Sequence, residues 1–163
     1  EWLSGDAVEC GWFKWATSYI ILQNISPEKT LHIFDSWEWL SKPNEIDGTY
    51  WQEASLTSSE ETIRKNLESF SNVQYYKWWI PSRFNEIAGK EISFLHIDVD
   101  LYDPTKDSIE QLYAQVQSWG VIVCDDYGFT TCPGARKAMD EFAEKHNLKI
   151  LGLTTGQGVI IKP

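Results

Sequence analysis

The sequence predicts an α/β fold: a doubly wound, mostly parallel sheet that closes on a C-terminal antiparallel hairpin. Three observations carry that expectation. Short apolar runs that stop at a carboxylate or a glycine alternate with helix-like stretches. Runs such as VIVC and ISFLHI lack the alternation of a half-exposed strand, which suits parallel strands covered on both faces. The chain then finishes on two strand-like runs, LKILGLTT and GVIIKP, around TGQG.

Each element has its own signal. AVECG (7–11) reads as a strand ending at Gly11. WFKWATSYIILQNI (12–25) reads as a helix with Phe13, Ala16, Ile20 and Ile21 on one face, stopped by Pro27. TLHIFDSW (30–37) is a second strand that stops at Asp35. Residues 41–58 are polar, turn-rich and without a period, so they read as a long loop of the kind that forms lids or binding segments. SSEETIRKNLESF (58–70) has Ser58 and Glu61 at capping-box spacing ahead of a helix. VQYYKWW (73–79) and ISFLHIDVD (92–100) are strands three and four. TKDSIEQLYAQVQS (105–118) is amphipathic through Ile109, Leu112, Tyr113 and Val116. VIVCDDY (121–127) is strand five, and PGARKAMDEFAEKHN (133–147) is a helix with proline in its first turn.

At 163 residues, with neither a repeat nor a linker, the chain reads as one domain, 1–163, around one core. An apolar fraction of 42% with 14% aromatic residues argues against disorder. The balance of 24 acidic against 14 basic residues gives a formal charge of −10, which opposes binding to phosphate backbones or anionic membranes. Neither nucleic acid nor a membrane is therefore an expected partner. No apolar run approaches the roughly 20 residues that span a bilayer, and EWLSGDAVEC has no signal-peptide pattern. The opening Glu in place of Met reads as a fragment or a processed form. Cys10, Cys124 and Cys132 make neither a disulfide framework nor a CxxC, which fits a reducing compartment and a cytoplasmic location.

The strand ends carry the chemistry. Glu9 and Gly11, Asp35, Asp98 and Asp100, and Asp125 and Asp126 all fall at or near the C-terminal ends of expected strands, which in this architecture gather along one rim. Asp35 follows Gly11 by 24 residues, near the spacing at which a carboxylate meets ribose hydroxyls; the alternative is a turn-capping Asp. Asp98, Asp125 and Asp126 converging would repel one another, and a hard divalent cation, magnesium above all, would resolve that repulsion. The alternative is three carboxylates that each end a strand. The DVD at 98–100 also matches the DxD of metal-dependent glycosyltransferases, a weak three-residue match.

The blocks VECGWFKWATS, FDSWEWLSKP, HIDVDLYDPTKDSIEQLY, GVIVCDDYGF, PGARKAMDEF and TGQGVIIKP together resemble the macrocin O-methyltransferase (TylF/MycF-like) family over nearly the whole chain. The resemblance implies the Rossmann-like class I methyltransferase sheet, S-adenosylmethionine as methyl donor and Mg2+. It also implies a small-molecule acceptor, a hydroxyl of a sugar or related natural product, with a homo-oligomer among the assemblies. Carried over by position, it implies Glu9, Gly11, Thr17, Asp35 and Ser36 as cofactor contacts and Asp98, Asp125 and Asp126 as metal ligands. Asp100 and His96 are the candidate bases, with a packed core role the other reading of His96.

The sequence departs from the family pattern at several loops. Trp15 and Ala16 stand where a glycine pair is expected, and Trp39, Trp78 and Trp119 also stand where the family usually has glycine. Glycine and tryptophan codons can differ by one base. Trp15 either turns outward and leaves the cofactor pocket open or fills it, which makes a non-catalytic relative the rival to an enzyme. The N-terminal helical segment of family members has no counterpart in these residues.

Overall fold

The computed structural model describes residues 3–13 and 16–163. Its seven strands form one sheet in the order β3-β2-β1-β4-β5-β7-β6. These are β1 (Asp6–Cys10), β2 (Leu31–Asp35), β3 (Val73–Lys77), β4 (Ile92–Ile97), β5 (Val116–Cys124), β6 (Leu151–Gly152) and β7 (Gly158–Ile161). The first five run parallel; β7 pairs antiparallel with β5, and β6 with β7. The helices are α1 (Ala16–Asn24), α2 (Glu60–Asn66), α3 (Tyr102–Leu112) and α4 (Pro133–Lys145). This is the doubly wound sheet with a closing antiparallel pair that the pattern implied.

The sheet is covered on both faces. Ala7, Leu31 and Ile33 pack with Ile21 and Leu22 of α1, Ile63 of α2 and Leu67 just beyond it. Val8, Cys10, Phe34 and Leu95 pack with Ile109, Leu112, Met139 and Phe142 of α3 and α4. Adjacent residues of one strand thus feed opposite cores, which is why the apolar runs do not alternate. Among the described residues, no helix is long and apolar enough to cross a membrane.

Three local expectations are corrected. On α1 the buried residues are Ser18, Ile21 and Leu22, while Ile20 on the expected apolar face is exposed, as is Phe13 before the helix. Ser18 is inside because its hydroxyl is hydrogen-bonded to buried Glu9. The helix expected over 105–118 begins at Tyr102 and ends at Leu112. Val116 opens β5 beside Ile92, since sheet pairing outweighs a helical period that no breaker interrupts. The cap of α2 is Ser59, which accepts from Thr62 N–H, rather than Ser58.

Candidate active site

Strand register assembles the site. Cys10 lies beside Phe34 on one side and Ile97 on the other, and Ile97 lies beside Cys124. Asp35 ends β2 just after Phe34, and Gly11, Asp98 and Asp125 follow the other three, so all four stand abreast on one rim. The rim spans the switch point, where the strand order reverses between β1 and β4. Gly11 N–H donates to Phe34 O at 2.8 Å and Asp98 N–H to Cys10 O at 2.8 Å. Gly11 has φ +89, and a Cβ there would sit 1.8 Å from the Asp98 carbonyl oxygen, so no other residue fits this crossing.

Above the rim opens a cavity of about 390 Å³, within the roughly 300–1,000 Å³ of small-molecule sites. Gly11, Asp35, Ser36, Asp98 and Asp100 line it, with Trp12, Trp39 and Trp79 among its walls. Trp12 is 6% exposed, and its indole N–H has no hydrogen-bond partner among the described residues. Asp35 is oriented by two backbone donors, Trp12 N–H to Oδ2 at 2.8 Å and Trp37 N–H to Oδ1. Burial nonetheless pushes its pKa up to about 6.

Glu9 and Thr17 do not line the cavity. Glu9 is 1% exposed; besides Ser18 it faces His96, whose Nδ1 is 3.5 Å from Glu9 Oε1. His96 is also buried and absent from the cavity wall, with Nε2 4.0 Å from Asp125 Oδ1. Burial works against its charge, but Asp125, Glu9 and Asp98 prevail and push its pKa up to about 10. Trp15, on which the open-or-filled question turned, lies outside the described residues.

Asp98, Asp125 and Asp126 come together: one carboxylate oxygen of each lies within 4.8 Å of the others. Burial and the Asp126 charge hold Asp98 well above the usual carboxylate range. Burial also pushes Asp126 up to about 6, against the Asp100 N–H that it accepts at 2.8 Å. Asp100, raised to about 7 by burial and Asp126, occupies a left-handed turn at φ +61, which Asp tolerates better than most residues. Asp125 is instead held below its ordinary value by His96 and by Gln157, whose Nε2 donates to Oδ1 at 2.9 Å.

Sequence reasoning missed the residues that support this rim. Gln157 reaches Asp125 because β7 returns antiparallel to β5 with Gly158 beside Cys124. Asp47, 2% exposed, accepts Tyr102 N–H at 2.7 Å and so caps α3, whose own N-cap residue, Leu101, makes no side-chain bond. Cys132 lies against Asp100 and Asp126, three donors within 4.8 Å of one another. None has a local motif; each is recognisable only once the topology is known.

Comparison with known proteins identifies relatives. A model of the macrocin O-methyltransferase (TylF) family matches residues 1–152. A demethyldecarbamoylnovobiocin O-methyltransferase from Streptomyces niveus is 26% identical over 161 residues, covering 88% of this chain but 60% of that protein. The chain thus spans less than two thirds of that relative. Among solved structures, the O-methyltransferase NovP superposes with a TM-score of 0.79 at 21% identity, over 98% of this chain and 72% of that one. The calicheamicin methyltransferase CalS11 gives 0.80 at 16% identity, over 96% and 72%. At these identities the structural likeness speaks to the fold alone.

Proposed function

The chain belongs to the macrocin O-methyltransferase (TylF) family, and from that premise we propose that it moves a methyl group from S-adenosylmethionine to a hydroxyl of a sugar or related natural product, with Mg2+ held by Asp98, Asp125 and Asp126. The observation that carries this reading is that Asp35 at the end of β2 and Asp98 after β4 line one cavity, while Asp98 also gathers with Asp125 and Asp126 beyond β5, which do not line it.

The residues fit both groups. Among the described residues, five carboxylates line the cavity (Asp35, Asp98, Asp100, Asp103 and Asp107) against one lysine, Lys42. That field suits a sulfonium and a divalent cation. The Asp98, Asp125 and Asp126 donors are all oxygen and mutually repelling, the set a hard cation prefers. When bound, the cofactor supplies an electrophilic methyl, and the cation lowers the pKa of the acceptor hydroxyl.

The chain's own residues do the rest. Asp35, with one backbone N–H on each oxygen, keeps lone pairs free for two vicinal hydroxyls. Trp12, Trp39 and Trp79 give the cavity an aromatic wall that confines the reactants, and confinement at near-attack distance is the main rate contribution expected. Of the two candidate bases, Asp100 lines the cavity beside the trio, whereas His96 is buried and does not line it, which favours Asp100 for this role.

Calorimetric titration with S-adenosylmethionine, in buffer containing Mg2+, tests the proposal. Binding in the micromolar range is the expected result. A folded chain that binds no S-adenosylmethionine, or that takes a nucleotide sugar instead, overturns it.

A further inference from the structure

Residues 36–59 cross the top of the molecule with one short 3-10 turn, Glu45–Asp47. Both ends of this segment reach the cavity, through Leu40, Ser41 and Lys42 before the turn and Leu56 and Ser58 after it. Its middle is pinned away from the cavity at two points. At the first, Asp47 accepts Tyr102 N–H through Oδ1 at 2.7 Å and Asn44 N–H through Oδ2 at 2.8 Å. Gly134 of α4 is shaped to admit it, since a Cβ there would lie 1.9 Å from Asp47 Oδ1. At the second, Trp51 packs half-buried against the core, and its Nε1–H donates to Cys132 Sγ at 3.3 Å.

The second pin leads directly into the carboxylate group. Cys132 is 2% exposed, and its sulfur lies 3.6 Å from Asp100 Oδ1 and 3.7 Å from Asp126 Oδ1. Both oxygens are acceptors and the thiol carries one proton, so the S–H serves one carboxylate at a time from a position between them. The Trp51 N–H takes a sulfur lone pair, and with the Thr131 hydroxyl, 3.6 Å from the sulfur, donating as well, the thiol proton is left for the carboxylates. We propose that Trp51, from the 36–59 segment, and Cys132 are positioning residues that brace Asp100 and Asp126, so that the set of that segment and the affinity of the cation site are one coupled property. This inference rests on the cation reading above, and it assigns roles to two residues that do not line the cavity.

The test is Co2+ binding, a spectroscopic stand-in for Mg2+, followed by calorimetry and optical absorption. The proteins are the wild-type chain, Trp51→Phe, Cys132→Ser, Cys132→Ala and the double variant Trp51→Phe/Cys132→Ala. S-adenosylmethionine titrations and melting curves run alongside. Trp51→Phe and Cys132→Ala are each expected to weaken Co2+ about tenfold, the lower end of what outer-layer partners of metal ligands contribute. The double variant should lose no more than either single one, Cys132→Ser should return to within about twofold of wild type by keeping a donor, and S-adenosylmethionine affinity should not change.

Cys132→Ala binding Co2+ as tightly as wild type overturns the proposal, even if its melting temperature falls. So do losses that multiply in the double variant. A thiolate-to-cobalt charge-transfer band overturns it too, because the sulfur would then be a ligand. If Cys132→Ala does not fold, Cys132→Ser and Trp51→Phe decide, with weak binding by Trp51→Phe alone supporting the brace and unchanged binding by both overturning it. A wild-type chain that binds no Co2+ overturns the cation reading along with this inference, whereas intact Co2+ binding that the variants leave unchanged sinks the brace alone.

Discussion

A methyl group on Gly11 would collide with the Asp98 carbonyl oxygen, and the backbone there already has φ +89. Gly11→Ala is therefore expected to cost about 3 kcal/mol or more, combining strain and overpacking at a point where three strand ends meet. Urea unfolding measures it, and a loss under about 1 kcal/mol would mean that the crossing relaxes easily. At Asp98 the sign reverses. Burial and Asp126 disfavour its charge, so Asp98→Asn should stabilise the cation-free protein by an amount on the order of 1 kcal/mol. The same change should abolish the rise in melting temperature on adding Mg2+. A variant that is less stable than wild type without the cation, yet still responds to it, contradicts the assignment of Asp98 as a ligand.

Among elements, β5 shows where local and tertiary demands conflict. Ile92 pairs with Val116 and Phe94 with Val121, so residues 117–120 bulge opposite Ser93 alone. Within the bulge Trp119 takes φ +67 with 73% of its surface exposed, while its N–H donates to Lys162 O at 2.6 Å. This is a backbone conformation that favours glycine, occupied here by tryptophan. Of the other positions where the sequence suggested a missing glycine, Trp39 has no positive φ and Trp78, at φ 159, is close to extended. Trp119→Gly should raise stability by about 1 kcal/mol, because relieved left-handed strain exceeds the entropy cost of glycine and little packing is lost. If thermal unfolding shows a destabilised variant, the indole makes contacts that offset its strain.

For the molecule as a whole, these groups set opposing responses to pH. Asp126 and Asp100, raised to about 6 and about 7, and Asp98, also raised, bind protons more tightly when folded than when unfolded. Their contribution is fully present below the unfolded carboxylate range and is lost as pH rises through 6 to 7. His96, raised to about 10, acts in the same direction over a higher window. Asp6 and His32 act oppositely. Burial works against the Asp6 charge, but His32, the Thr30 N–H and Lys90 hold its pKa down, while burial lowers His32 despite Asp6. Their contribution is present above the unfolded values and is lost on acidification. With a chelator present, the melting temperature should therefore fall as pH rises through about 6 to 7. Saturating Mg2+ should flatten or reverse that slope, because a cation replaces the protons at the trio. Scanning calorimetry across this range, with and without Mg2+, checks both arms. Identical slopes would argue against a cation at these carboxylates.

The sequence by itself determined the order of strands and helices, the sheet type and the acidic rim. Those follow from local rules: apolar runs covered on both faces do not alternate, and a parallel strand that ends at a carboxylate delivers it to the rim with its neighbours. The same reading singled out Asp35, Asp98, Asp125 and Asp126 before any geometry was known. Only the tertiary structure decided which way the side chains faced. Glu9 and His96 sit two residues before the rim positions Gly11 and Asp98, within the buried strands, and the register of β1 on β4 sets them side by side so that they face each other. Gln157, Asp47, Trp51 and Cys132 reach the rim from segments 32, 55, 81 and 32 residues away from the partners they touch. Contacts across such separations are set by how the helices and the closing hairpin pack, and no local pattern records them.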